Sequence, residues 1–221
     1  MAIPCLTFGH AVFAQTVPIL VTTDVSAIAS AGIINHHDNL ADYELDRTIT
    51  RRETAKIIYR LKAVMNDLSP DTPAQCESLY SDILASDWGC GYISTLARSG
   101  IFSLRNTSFR PDDTVSRYEM ILIVARLLSE QARAFQGSGA SVTVFMDTLI
   151  NYGVLDASES TMLLNNVNDN LYVPASRSFS FALVERALST LKTDLWDNGP
   201  DMPEEDVYLD DIFGEDLSGD M

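Results

Sequence analysis

A hydroxyl residue followed directly by an arginine occurs three times in this 221-residue chain, next to an apolar run each time. The pairs are Thr50-Arg51, Ser116-Arg117 and Ser176-Arg177. Glu53 and Glu119 stand three residues after the first two hydroxyls, which is the spacing of a capping box that fixes a helix start. An arginine there adds its charge to the partial positive charge of the helix N-terminus. This arrangement favours a carboxylate or phosphate ligand.

The third pair is less complete, because Phe179 stands where the other two have glutamate. Ser176 can cap a helix there, but the box cannot close, so a ligand site at Arg177 is the weakest of the three predictions. Arginines in the first turn of a helix are also ordinary surface residues, or partners of loop aspartates such as Asp46, Asp112 and Asp113. Repetition in register favours a ligand role for Arg51 and Arg117, although it also fits a packing role.

The elements that must position these pairs repeat as well. Apolar residues at helical spacing predict short helices within 25–34, 92–102 and 145–155. Each ends at a glycine suited to a left-handed C-cap, namely Gly32, Gly100 and Gly153. A long loop then leads to the hydroxyl-arginine pair and a longer helix. The sequence therefore predicts an all-α fold of three helix–loop–helix units, in which the longest loop, between Gly153 and Arg177, stays a loop.

The second unit carries a family resemblance. Its residues Tyr80-Ser81-Asp82-Ile83, Trp88, Gly100-Ile101, Phe109-Arg110-Pro111-Asp112 and Ser116-Arg117-Tyr118-Glu119 resemble, in order and spacing, the S-layer homology motif. The first unit keeps Ile49-Thr50-Arg51-Arg52-Glu53, and the third keeps Gly153-Val154 and Ser176-Arg177. On this resemblance the motifs span 15–66, 75–130 and 140–193, the last being degenerate.

The resemblance implies a pseudo-threefold helical bundle whose grooves hold a cell-wall polysaccharide or peptidoglycan-linked polymer, with or without pyruvate ketals. The arginine of the motif meets the ketal carboxylate. The residues expected to bind the polysaccharide are Arg51, Arg117, Arg177, Thr50, Ser116, Ser176, Asp82 and Trp88. Two of these have a structural alternative, since Trp88 could be a packing anchor and Asp82 could cap a turn. Arg60, Arg126 and Arg186 also recur, and mid-helix they are interpreted as members of structural ion pairs.

The net charge and the N-terminal segment limit which partners and which cellular location are possible. A net charge of -16 argues against nucleic acid and anionic membrane surfaces as partners, and no stretch is long and apolar enough for a transmembrane helix. Residues 1–14 resemble a signal peptide that lacks a basic start, either truncated or atypical, with a buried N-terminal strand or helix as the alternative. We therefore expect a secreted protein of the cell wall or envelope.

The segment 194–221 holds eleven acidic residues and no Lys or Arg, and it is predicted to be disordered. It supports a rival function, in which the helices form a secreted protein-interaction module and the acidic tail recruits a cationic partner. Catalysis is not expected, because no Ser-His-Asp, Cys-His or paired-carboxylate set can be assigned. No metal or cofactor is expected either.

Two cysteines remain once the signal segment is set aside, Cys76 and Cys90. In an exported protein an even pair favours a disulfide over a metal site, because no histidine or second cysteine pair lies near them at zinc-ligand spacing. Two free buried thiols are the alternative.

Overall fold

The computed structural model describes residues 20–22, 24–66, 70, 75–135 and 142–197, with the backbone alone for 191–197. This described part is mostly helical and has no sheet, which confirms the predicted all-α class. None of its helices is long and apolar enough to cross a membrane. The predicted signal segment 1–14 and the tail beyond residue 197 lie outside the described residues.

The helices follow the predicted alternation of short and long elements. In chain order they are α1 (Ser26–Ser30), a 3-10 turn (Leu40–Tyr43), α2 (Arg51–Met65), α3 (Cys90–Arg98), α4 (Arg117–Leu128), α5 (Glu130–Ala134), α6 (Val142–Asn151), α7 (Ala157–Asn165), α8 (Val167–Asn170) and α9 (Arg177–Asp197). The three long helices α2, α4 and α9 start at the three arginines. Each long helix packs against the other two and against one short helix, α2 against α3, α4 against α6 and α9 against α1.

The structure corrects three expectations. The loop after Gly153 contains α7 and α8, because Asp156 and Glu159 form a capping box of their own that starts a helix there. The segment between the second and third predicted motifs, 131–139, is helical as far as Ala134, where α5 ends. The tail expected from 194 is helical to Asp197, since no glycine or proline interrupts α9 before Gly199.

The glycines after the three short helices adopt the left-handed conformation, with φ of 72° at Gly32, 74° at Gly100 and 68° at Gly153. The residue after each glycine donates its amide back into the helix, as in Val154 N to Leu149 O at 2.8 Å. These bonds satisfy carbonyls that the helix end leaves without partners. The same turn therefore ends all three short helices and directs the chain into the following loop.

Replacing Gly153 with alanine is expected to lower the free energy of unfolding by about 1 kcal/mol, because an L side chain is strained at positive φ. A Cβ at this position would meet nothing within 4 Å, so conformation alone sets the cost. Urea denaturation measures the change. Gly153→Asn is the matched control and should cost less, since asparagine tolerates this conformation; an equal loss in both variants would contradict the explanation.

Three backbone hydrogen bonds join the segments that precede the long helices. The amide of Ile49 donates to Ala175 O at 3.1 Å, that of Ala175 to Val115 O at 2.8 Å, and that of Val115 to Ile49 O at 3.0 Å. All three residues are buried, so water does not compete for these bonds. Because the bonds close a ring, each segment depends on both of the others.

Matching positions of the three units also supply the core. Fully buried residues recur at the same place in the short helices and in the long helices: Ile28, Leu96 and Leu149; Ile58, Val124 and Val184. A single short-plus-long helix pair cannot bury its own apolar face, so three units packed together make the core that none has alone.

Candidate functional site

The starts of α2 and α4 are built identically. The Thr50 hydroxyl accepts the Glu53 amide at 3.3 Å, while the Glu53 carboxylate accepts the Thr50 amide at 3.0 Å. Ser116 and Glu119 make the same two bonds at 3.2 and 3.0 Å. The Ser176 hydroxyl caps α9 by accepting the Phe179 amide at 3.2 Å. The three hydroxyls proposed as sugar contacts are thus engaged in capping.

The first amides of these helices are also taken. Arg51 N donates to Asp113 O at 2.9 Å, Arg117 N to Val173 O at 3.0 Å, and Arg177 N to Arg47 O at 2.8 Å. Each acceptor lies in the loop of another unit. The helix N-termini are therefore not open anion sites, although the caps and helix dipoles predicted such sites from the sequence. A ligand would have to be recognised by the side chains.

Two of the three arginine side chains pair across units with a capping-box glutamate. Arg51 is 14% exposed at its side chain, and it donates from Nε to Phe109 O at 2.7 Å and from Nη1 to Glu119 Oε1 at 2.7 Å. Arg177 donates to Tyr43 O at 3.0 Å and to Glu53 Oε1 at 3.1 Å. These contacts fix the direction of both guanidinium groups.

Arg117 lacks such a carboxylate, because the matching position in the third unit is Phe179. Its guanidinium carbon lies 5.2 Å from the centre of that ring, and Nη1 donates to Asn170 O at 3.3 Å. Its Nε is buried and has no hydrogen-bond partner among the described residues. Burial lowers the pKa of Arg117. Arg117 is thus a partly buried cation without a paired anion in the described chain.

Arg177 faces a cavity of about 230 Å³, which we call the first groove. Its floor is apolar and its walls carry Glu53, Lys56 and Arg60. Trp88 stands at this groove with 53% of its surface exposed, and Arg52 and Lys56 lie 5.5 and 6.0 Å from its ring centre. Trp88 is therefore not a buried anchor, and about half of its surface is exposed at the groove.

Arg51 faces a second cavity of about 470 Å³, the second groove. Five of its lining residues occupy the same positions as five in the first groove, with Phe109 for Tyr43, Glu119 for Glu53, Ile123 for Ile57, Arg126 for Arg60 and Arg51 for Arg177. Tyr80, Arg105, Asn106 and Tyr118 complete its wall. The two grooves are thus versions of one site, formed where one unit meets another.

Basic side chains outnumber acidic ones among the residues that line each groove. The first has Lys56, Arg60 and Arg177 against Glu53. The second has Arg51, Arg105 and Arg126 against Glu119. The chain as a whole carries a net charge of -16 with only 15 Lys and Arg. Six of these few cations therefore line two cavities, where their field favours an anionic ligand.

Glu53 is the carboxylate on which the first groove depends. Burial acts to raise the pKa of Glu53, but hydrogen bonds from Arg47, the Thr50 amide and Arg177 outweigh it and bring the pKa to about 2. A carboxyl whose pKa is lower in the folded state stabilises the fold above its unfolded pKa. That contribution is lost as the pH falls from about 4.5 towards 2.

Glu53→Gln is expected to lower the free energy of unfolding at pH 7 by about 3 kcal/mol and to flatten its decline in acid, since the glutamine cannot titrate. Urea denaturation at pH 7, 5 and 3 gives the comparison. Glu130→Gln, at a side chain that is 93% exposed, is the control and should follow wild type. Parallel curves for wild type and Glu53→Gln would contradict the assignment.

Asp82 braces the loop that leads to Phe109. Its carboxylate accepts the Ser108 hydroxyl at 2.7 Å and the amides of Phe109 and Arg110 at 2.8 and 2.7 Å. Slight burial acts to raise the pKa of Asp82, and these bonds outweigh it and leave the pKa below its usual value. Of the two expectations for Asp82, a turn cap and a sugar contact, the geometry favours the cap.

The structure joins Cys76 and Cys90 in a disulfide, with Cα atoms 5.1 Å apart. This bond ties the segment before Tyr80 to the start of α3, next to Trp88 and the first groove. Among the described residues no group of three or more His, Cys, Asp or Glu side chains could hold a metal ion.

Sequence reasoning missed part of both grooves. Lys56 and Arg105 were not singled out, and Arg60 and Arg126 were interpreted as structural ion pairs although both line grooves. The ion-pair interpretation holds for Arg186, which binds Glu159 at 2.7 Å. For Arg126 it is wrong within the described residues, where both acceptors of its guanidinium are carbonyls. The signal in the sequence was an arginine at the same position of the apolar helices α2 and α4, where Arg60 and Arg126 lie.

Comparison with known proteins agrees with the arrangement of the second unit. Residues 79–121 match the family model of the S-layer homology domain. The chain is 26% identical over 105 residues to the middle cell wall protein of Brevibacillus brevis and 27% identical over 105 residues to the surface layer protein of Brevibacillus choshinensis. It is also 25% identical over 123 residues to an amylopullulanase of Thermoanaerobacterium thermosulfurigenes.

The similarity covers 47%, 47% and 56% of this chain, but only 10%, 9% and 6% of those three proteins. The chain therefore corresponds to a small part of each relative. The family model matches one S-layer homology domain in this chain, at 79–121.

Proposed function

We propose that this protein is a non-covalent anchor that binds an acidic cell-wall polysaccharide in the two grooves. The observation that carries the proposal is the pair of matching cavities, each with three cations against one carboxylate in a strongly acidic chain. The S-layer homology domain at 79–121 and the cell-wall and surface-layer relatives support the same function. The protein is secreted and associated with the cell wall.

The architecture proposed for this function is a pseudo-threefold bundle of motifs at 15–66, 75–130 and 140–193. The ring of hydrogen bonds through Ile49, Val115 and Ala175 supports it, as do the capping-box glutamates that receive an arginine from a neighbouring unit. In such a bundle every groove lies between two motifs, so the sites exist only when the bundle is closed.

Within the grooves, Arg51 and Arg177 act as the anion anchors. Their glutamate partners hold them in place, and further cations line each groove, where an acid group such as a pyruvate ketal can bind. Trp88 offers an exposed ring on which a sugar face can stack at the first groove. Arg117, which has no carboxylate partner among the residues that the structure describes, serves as a third contact outside the two grooves.

Binding at two sites along one polymer raises the overall affinity without any new contact, because the second binding event is intramolecular. Weak individual sites are therefore sufficient for anchoring. The proposed role is one of attachment. The similarity to an amylopullulanase covers only 6% of that enzyme, so the activity of that enzyme is not carried over to this chain.

Isothermal titration with purified wall polysaccharide tests the proposal. A suitable source is Brevibacillus brevis, whose middle cell wall protein is one of the relatives. The polysaccharide should bind, and the same polymer with its carboxyl groups chemically reduced to alcohols should bind at least about tenfold more weakly, since the charge-assisted hydrogen bonds are lost. Equal binding of the two polymers would contradict an anion-directed site.

The acidic tail supplies a second candidate, recruitment of a cationic protein partner, on the strength of its eleven acidic residues. Because α9 reaches Asp197, the tail is best removed after that residue. Truncation is expected to leave polysaccharide binding unchanged and to abolish the capture of a basic protein such as lysozyme. Loss of polysaccharide binding on truncation would place the tail in the wall site instead.

A further inference from the structure

Arg126 is a buried cation without a counter-ion in the described chain. It lies in α4 with 5% of its surface exposed and lines the second groove. Nη1 donates to Ile101 O at 3.4 Å and Nη2 donates to Phe135 O, while Nε is buried without a partner. Carbonyl dipoles compensate a full charge incompletely, and a buried charge is costly unless an anion pairs with it.

The matching arginine of the third unit, Arg186, has such an anion. Glu159 binds it with both carboxylate oxygens, at 2.7 and 2.9 Å. Arg186 also donates to Val154 O at 3.2 Å, the counterpart of the bond from Arg126 to Ile101 O. The two arginines therefore share the bond to the carbonyl after the short helix. They differ in their other partners, since Arg186 has a carboxylate and a side chain that is 40% exposed, whereas Arg126 is buried and its guanidinium lies 5.8 Å from the centre of the Phe145 ring.

Glu159 reaches this position because α7 interrupts the third loop and carries it inward, where its side chain is 12% exposed. The loop between Gly100 and Arg117 has no such helix. Where the third unit places its own carboxylate, the second unit has a cavity of about 470 Å³, a volume within the range of small-ligand pockets.

We infer that the second groove binds the carboxylate of an acidic sugar through Arg126, in the position that Glu159 holds on Arg186. The inference rests on the proposed function and adds Arg126 to Arg51 as a second arginine that contacts the acid in this groove. Arg51 is already paired with Glu119, whereas Arg126 and Arg105 have no carboxylate partner among the described residues. In the third unit the equivalent arginine, Arg186, already binds a carboxylate of the protein itself, that of Glu159.

The test uses the Nε–H signals of arginine in nitrogen-15 spectra of the full-length protein. The Arg126 signal is assigned by its disappearance in Arg126→Lys. Sodium glucuronate, a sugar carrying one carboxylate, should shift the Arg126 signal, and glucose at the same concentration with sodium chloride at matched ionic strength should not.

A second pair of variants leaves Arg126 in place and so avoids the risk that a core substitution prevents folding. Asn106 lines the groove and lies as far after Gly100 in the sequence as Glu159 lies after Gly153. Asn106→Glu should supply an internal carboxylate and weaken glucuronate binding about tenfold or more, while Asn106→Gln, of similar size and neutral, should bind as wild type does.

The outcomes separate this inference from the proposed function. If glucuronate shifts the Arg51 and Arg105 signals and leaves that of Arg126 in place, the carboxylate binds elsewhere in the groove and the role of Arg126 is overturned. If no arginine signal moves while the wall polysaccharide still binds, the inference fails and the proposed function stands. If neither glucuronate nor the polysaccharide binds, both fail.

Discussion

Replacing Arg51 and Arg177 with alanine together is expected to lower retention of the protein on purified wall sacculi by about a hundredfold. Each substitution removes the anchor of one groove, and loss of both removes the gain from two sites on one polymer, which is typically of this size or larger. Co-sedimentation with sacculi over a range of wall concentrations measures the effect, and circular dichroism shows that the variant is folded.

The matched control is Arg98→Ala/Arg110→Ala, which removes the same charge from side chains that are 59% and 60% exposed and line neither groove. It should bind as wild type does, apart from a small electrostatic loss. Equal loss in the two double variants would show that net charge, not the grooves, governs binding. Single substitutions at Arg51 and Arg177 should each fall between wild type and the double variant.

Reduction of the bond between Cys76 and Cys90 is expected to lower the free energy of unfolding by about 3 kcal/mol. The cysteines are 14 residues apart in the sequence, and closing a loop of this length restricts the unfolded chain by about that amount. Urea denaturation with and without dithiothreitol, together with a thiol assay, measures the change.

The control for this prediction is Cys76→Ser/Cys90→Ala, which should have the stability of the reduced wild type and should not respond to dithiothreitol. Because the bond holds the start of α3 near the first groove, reduction should also weaken wall binding through Trp88 more than through the second groove. A reductant that changes neither stability nor thiol content would mean that the cysteines are not bonded in the protein.

The sequence was sufficient for features that depend on near neighbours. The capping boxes at Thr50-Glu53 and Ser116-Glu119 and the left-handed turns at Gly32, Gly100 and Gly153 involve residues within a few positions of one another. Their chemistry is therefore visible in the local pattern. The same holds for the class of fold, since the helical spacing of apolar residues repeats three times.

Contacts between units could not be derived in this way. Arg51 and Glu119 are 68 residues apart, and Arg177 and Glu53 are 124 apart. Only the closed bundle brings them together, so the sequence indicated the arginines as anion-binding groups without revealing that two of them already have carboxylate partners. Trp88 likewise belongs to the segment of the second unit but faces Lys56 on α2.

The third unit shows why a degenerate copy is hard to interpret from its sequence. Comparison with the shorter loops concealed α7, whose capping pair Asp156-Glu159 follows the same spacing rule as the other boxes. Glu159 then serves both its own helix start and Arg186. The pairing of Glu159 with Arg186 is thus the basis for proposing that the equivalent Arg126 binds a carboxylate of the ligand.

The proposed ligand is the wall polysaccharide and not the peptidoglycan that carries it. The most direct measurement is co-sedimentation of wild-type protein with two preparations of the same sacculi, one intact and one from which the polysaccharide has been removed by acid extraction. Wild type should sediment with the intact sacculi and remain in solution with the extracted ones. Sedimentation with both preparations, or with neither, would contradict the account.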